Sequence, residues 1–158
     1  MGAQPMRTVR RGFRGAPPAE RAGFAILSAS GLTVFAARLV TYAQERRRHV
    51  PAVRSMLRRA YHQPRSGGLR IHHFLPGMLV STAAGAAAIL TRRDGRELSF
   101  GWPFGVGAGL TLDEIALLVE LDNPYWRSER VAILGAATAS AGAAGLAARF
   151  HRRGAQER

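Results

Sequence analysis

Asp113 and Glu114 stand side by side inside an otherwise apolar, glycine-rich run, GVGAGLTLDEIALLVEL at 105–121. His72 and His73 stand side by side just ahead of another apolar run, in RIHHFLPGM. Arg38, Glu120 and Arg130 are further charged groups within or beside apolar stretches. Three chemistries fit these residue types. In a structural reading, Arg38 neutralises Asp113 or Glu114 and a histidine hydrogen-bonds the remainder, while Glu120 and Arg130 complete the polar cluster. In a metal reading, His72, His73, Asp113 and Glu114 are candidate ligands of a divalent ion, because imidazole nitrogen and carboxylate oxygen suit zinc, manganese or iron. In a third reading, a carboxylate works as a general acid or proton relay, its pKa raised by burial and lowered by a nearby cation. Spacing weighs against metal. Adjacent histidines point about 100° apart on a helix, whereas a chelating pair sits at i and i+3 or i+4.

Elements of unusual composition must position these groups. The chain has 158 residues and a net charge of +13, with every one of its 23 basic residues an arginine. It has no cysteine, which excludes disulfides, thiolate metal sites and thiol nucleophiles. Charge and apolarity are segregated. Residues 22–37, 74–91, 98–112 and 131–148 carry no charged side chain. A membrane-crossing helix needs about 20 mainly apolar residues, and each run reaches that length with its flanks included.

The predicted fold is therefore all-α, an integral membrane protein with four transmembrane helices near 22–43, 71–91, 99–121 and 130–149. Residues 1–21 read as a basic, disordered tail, and 150–158 as a basic C-terminal tail. Between the first two spans, near 46–62, Val50, Val53, Leu57 and Tyr61 follow helical spacing opposite arginines, which predicts a basic amphipathic helix on the membrane surface. TRRDGRE at 91–97 is a short polar turn, so the second and third spans should form an antiparallel hairpin.

Small residues four apart let membrane helices approach closely. One such stripe is Gly101, Gly105, Gly109 and Asp113; another is His73, Gly77, Ser81 and Gly85. Run antiparallel, they predict the pairs Gly85–Gly101, Ser81–Gly105, Gly77–Gly109 and His73–Asp113. Alternating helix direction also gathers Arg38, His72, His73, Asp113, Glu114, Glu120 and Arg130 into one half of the bilayer. A charge at mid-membrane costs roughly 3 kcal/mol on insertion scales, so such groups face the interior and have partners.

GGLRIHHFLPGM followed by FGVGAGLTLDEIALLVELDNPYW resembles a group of small bacterial, mainly actinobacterial, integral membrane proteins. Their pattern is H-I-H-H-x-x-x-G, then G-x-G-x-x-L-T-L-D-E-x-A-L, then Tyr-Trp. The likeness covers residues 66–130. It places His72, His73, Gly77, Asp113, Glu114, Tyr125 and Trp126 at motif positions, while Arg70 stands where the pattern has its first histidine. The resemblance implies a membrane location and a set of positions, and no activity.

The function expected from these residues is that of a non-enzymatic or accessory multi-pass protein of the cytoplasmic membrane. Its polar cluster would be structural, and its arginine-rich segments would bind anionic lipid headgroups. A homo-oligomer or protein partner is compatible; nucleic acid is not expected, since no binding motif is present. The alternative is a small metal-binding protein or enzyme acting on a lipid-like substrate through His73 with Asp113 or Glu114. Ion or proton passage is a third reading.

Overall fold

The computed structural model describes residues 3–46, 73–91, 95–119 and 128–156. They form five helices: α1 (Ala3–Arg14), α2 (Pro18–Arg46), α3 (Phe74–Thr91), α4 (Glu97–Val119) and α5 (Ser128–Gln156). Their ends follow from local chemistry. α1 stops at a Gly-Ala-Pro-Pro turn, where Gly15 N–H donates to the Arg11 carbonyl and the Pro17 carbonyl accepts from Glu20 and Arg21. Pro18 then opens α2 at a position where a missing N–H costs nothing. Before α4, Gly95 adopts φ +85, a left-handed conformation that glycine takes without a side-chain clash.

α4 is the central helix, packed against α2, α3 and α5. α2 and α4 run parallel. Arg21 meets Glu97, Ser30 meets Gly105 and Arg38 meets Asp113, at sequence separations of 76, 75 and 75. α3 runs antiparallel to α4, with Gly77 beside Gly107 and Thr111 and Gly85 beside Phe104. α5 runs antiparallel to α2, with Gly31 beside Ser140 and Gly23 beside Leu146.

Three of these helices are long and apolar enough to cross a membrane: Pro18–Ala43, Phe74–Thr91 and Arg130–Gln156. This corrects the expectation of four transmembrane helices. Among the described residues α4 does not qualify, because glycines, Pro103 and three carboxylates occupy positions that leucine or valine fill in a span. Those glycines and Asp113 are buried against neighbouring helices. α3 and α5 instead expose Leu79, Ile89, Leu90, Ile133 and Leu134, as lipid-facing helices should. The chain is a multi-pass, all-α membrane protein.

The ends differ from the expected tails. Residues 3–14, inside the stretch read as disordered, are helical, and α5 continues to Gln156. Phe13, Phe24 and Phe150 join α1, α2 and α5 edge-to-face, with centroids 5.3–6.1 Å apart. Phe150 is fully buried there. The predicted surface helix near 46–62 lies beyond Arg46, outside the described residues.

Candidate functional site

The stripe Gly101, Gly105, Gly109 and Asp113 is one packed face of α4, but it faces α2. A methyl group on Gly101 would press on Ala25, one on Gly105 on Ala29, and one on Gly109 on Ser30 and Thr33. Ser30 Oγ donates to the Gly105 carbonyl at 3.0 Å. One helical turn on, the stripe ends at Asp113, and the partner helix supplies Arg38.

Arg38 Nε donates to Asp113 Oδ1 at 2.7 Å, and Arg38 Nη2 donates to the Asp113 backbone carbonyl at 2.8 Å. The two side chains are 10% and 8% exposed, so the pair is sealed from bulk solvent. A charge-assisted bond of this length is strong, and one guanidinium holds both a carboxylate and a main-chain acceptor of the facing helix.

The predicted pairing of α3 with the 101/105/109/113 stripe is thus overturned. α3 is antiparallel as expected, but it meets the neighbouring face of α4: Gly77 and Ser81 close on Gly107, and Gly85 lies under the Phe104 ring. The reason is competition. α2 offers Asp113 a permanent cation on a small-residue surface, a better partner than a titratable histidine.

Glu114 points the other way and caps α3. Its Oε2 accepts the Phe74 backbone N–H at 2.8 Å, satisfying one of the unpaired donors at a helix start with a negative charge the helix dipole favours. The His73 carbonyl accepts the Gly77 N–H at 2.9 Å, which places His73 at the cap position of α3. Adjacent Asp113 and Glu114 therefore fasten two different helices to α4.

Of the predicted cluster, the structure joins Arg38 to Asp113 as a buried ion pair, while Glu114 bonds the start of α3. Arg130 is exposed and makes no ion pair among the described residues. His72 and Glu120 lie outside them, as do Tyr125 and Trp126. Among the described residues no three His, Cys, Asp or Glu side chains come close enough to hold an ion, and His72, one of the four candidate ligands, lies outside them. His73, Asp113 and Glu114 do not form such a group.

A second polar layer, missed from the sequence, lies at the opposite end. Arg21 pairs with Glu97 at 3.0 Å, and Glu20 accepts from Arg149 at 3.0 Å and Arg153 at 2.9 Å. The Glu97 carboxyl is held below the usual carboxylate range by its own backbone N–H, then by the Gly95 N–H and the Arg21 guanidinium, against the opposing effect of burial. The available signal was an acid in the first turn of both α2 and α4, where the helix dipole favours it. Between α2 and α5 an apolar groove of about 580 Å³ opens past Leu32, Phe35 and Ile133 and reaches Arg38, without touching His73 or Glu114. No family model, curated protein or solved structure matches the chain.

Proposed function

We propose that this chain is a non-enzymatic or accessory protein of the cytoplasmic membrane, and that its Arg38–Asp113 pair is a structural lock between α2 and α4. The observation that carries the reading is the use of Arg38: its Nε and Nη2 both bond Asp113, across a helix interface. Glu114 is likewise engaged in capping a helix. Neither carboxylate lines the apolar groove, so the groove lends no support to an enzyme acting on a lipid-like substrate through His73 and Asp113 or Glu114. Kinship with the small actinobacterial membrane family belongs to the same proposal, supported by the bonding roles of Asp113 and Glu114 and the packing role of Gly77. So do anionic lipid headgroups as partners of the arginine-rich surfaces and association with a second copy or another protein.

The test is a pair of single variants beside an apolar double. Removing one partner strands a buried charge and costs about 3–5 kcal/mol, whereas replacing both with apolar residues of similar size is close to neutral. Arg38→Met and Asp113→Leu together should give folded protein by size exclusion, and Asp113→Leu alone should not. A double variant as unstable as the single one would refute a replaceable lock. So would near-stoichiometric metal in the wild type that is absent from a folded Asp113→Asn protein.

A further inference from the structure

α1 is bolted to the end of α5. Gly12 faces the Phe150 carbonyl and Gly154, and Gly154 faces the Thr8 carbonyl, so closely that a methyl group at either glycine would overlap backbone atoms. The Phe13, Phe24 and Phe150 rings complete the attachment. With that side of α1 committed, the helix presents Arg7, Arg10, Arg11 and Arg14, spaced three and four apart and so sharing one face. These four and Gly15 line a cleft of about 520 Å³.

Like charges at this spacing repel one another, and Glu20 and Glu97, the acids at this end of the fold among the described residues, are engaged elsewhere. Glu20 is taken by Arg149 and Arg153, and Glu97 by Arg21. Arg7, Arg10 and Arg14 are exposed and have no ion-pair partner among the described residues. A rigidly held, self-repelling row of guanidinium groups is stabilised by an anion with several oxygen acceptors, and phosphate suits the planar guanidinium fork. Position selects the source. α1 is joined by a three-residue turn to the span Pro18–Ala43 and docks on the far end of the span Arg130–Gln156. That is the level at which lipid phosphates lie.

We propose that the Arg7/Arg10/Arg11/Arg14 face of α1 is a headgroup site for anionic phospholipid, preformed by the docking of α1 on α5. The proposal rests on the membrane placement above and gives one of the arginine-rich surfaces a defined geometry. Juxtamembrane arginines contribute about fivefold each to anionic-lipid affinity. Removal of three should therefore cost on the order of a hundredfold at low salt, and less as salt screens the charges.

The experiment titrates purified, detergent-solubilised full-length protein with phosphatidylglycerol and with phosphatidylcholine, reading bound lipid by native mass spectrometry. Wild type should prefer phosphatidylglycerol at least tenfold. Arg7→Gln, Arg10→Gln and Arg14→Gln together should abolish the preference, and the same three changes to Lys should retain most of it. Gly12→Leu keeps every arginine but dislodges α1, and should lose most of the preference. Equal binding of the two lipids by wild type, or full preference in the triple Gln variant or in Gly12→Leu, overturns the proposal. Displacement of phosphatidylglycerol by lower concentrations of a DNA duplex or inorganic phosphate also overturns it, pointing to a soluble polyanion. Retention in carbonate-washed membranes, measured separately, tests the membrane placement and distinguishes its failure from failure of the site.

Discussion

Alanine placed at successive small-residue contacts of α4 separates the observed packing from the register that glycine spacing alone predicts. A Cβ at Gly107 would overlap the Gly77 carbonyl and lie 3.0 Å from the Ser81 Cβ; one at Gly105 would overlap the Ile26 carbonyl and lie 2.7 Å from the Ala29 Cβ. Overpacking costs about 1–3 kcal/mol. Because main-chain atoms cannot rotate aside, both sites belong near the upper end. The gain from replacing a helical glycine, about 0.5–1 kcal/mol, leaves a net loss of about 2 kcal/mol. Gly85 is different. Its added Cβ meets only the edge of the Phe104 ring at 3.4 and 3.6 Å, so Gly85→Ala should change stability by less than about 1 kcal/mol. Gly145 has nothing within 4 Å, and Gly145→Ala should stabilise by about 0.5–1 kcal/mol. The assay is reversible unfolding in mixed detergent micelles, followed by helical circular dichroism. In the stripe-on-stripe register Gly85 would touch the Gly101 backbone, and its alanine variant would be as damaging as the others. Gly85→Ala as harmful as Gly107→Ala, or Gly107→Ala without effect, would refute the observed packing.

The second polar layer predicts an acid-side stability limb. The folded pKa of Glu97 is depressed, so its contribution is complete above the unfolded carboxylate value of about 4.3 and is lost as pH falls through the lower folded value. Glu97→Gln should flatten that limb in unfolding curves recorded from neutral pH downward, and an unchanged slope would contradict the pairing. Phe150→Ala should destabilise by about 3 kcal/mol, since the ring is fully buried against Phe13 and Phe24. It should also release α1, read as new proteolytic cleavage near residue 15; continued protection would show that the glycine contacts hold α1 without the rings.

Much of the candidate site was legible in order along the chain. Alternating helix direction places Arg38, His73, Asp113 and Glu114 toward one end whatever the rotation of each helix, because that argument needs no register. The stripe Gly101, Gly105, Gly109 was legible as a packing face through its four-residue period. Its partner was not. Gly77, Ser81 and Gly85 mark a small-residue face on α3 as clearly as Ala22, Ala25, Ala29 and Ser30 do on α2, and spacing along one helix carries no record of which neighbour turns toward it. α1 was misread for a related reason. Ala3–Arg14 has too few apolar residues to be stable alone, and its order comes from contacts with Phe150 and Gly154, more than a hundred residues away.

The sequence by itself determined the chemical inventory: a cysteine-free, arginine-only basic chain, apolar helices, and two adjacent carboxylates that need partners. Those properties depend on local composition and period, which a linear chain states directly. Only the tertiary structure decided that α4 packs against three other helices, that Asp113 belongs to Arg38, that Glu114 caps α3, and that four arginines share a fixed surface. Each depends on the rotation of one helix against another. That rotation is set by competition among several nearly equivalent small-residue faces, and a buried ion pair or a main-chain contact decides the winner.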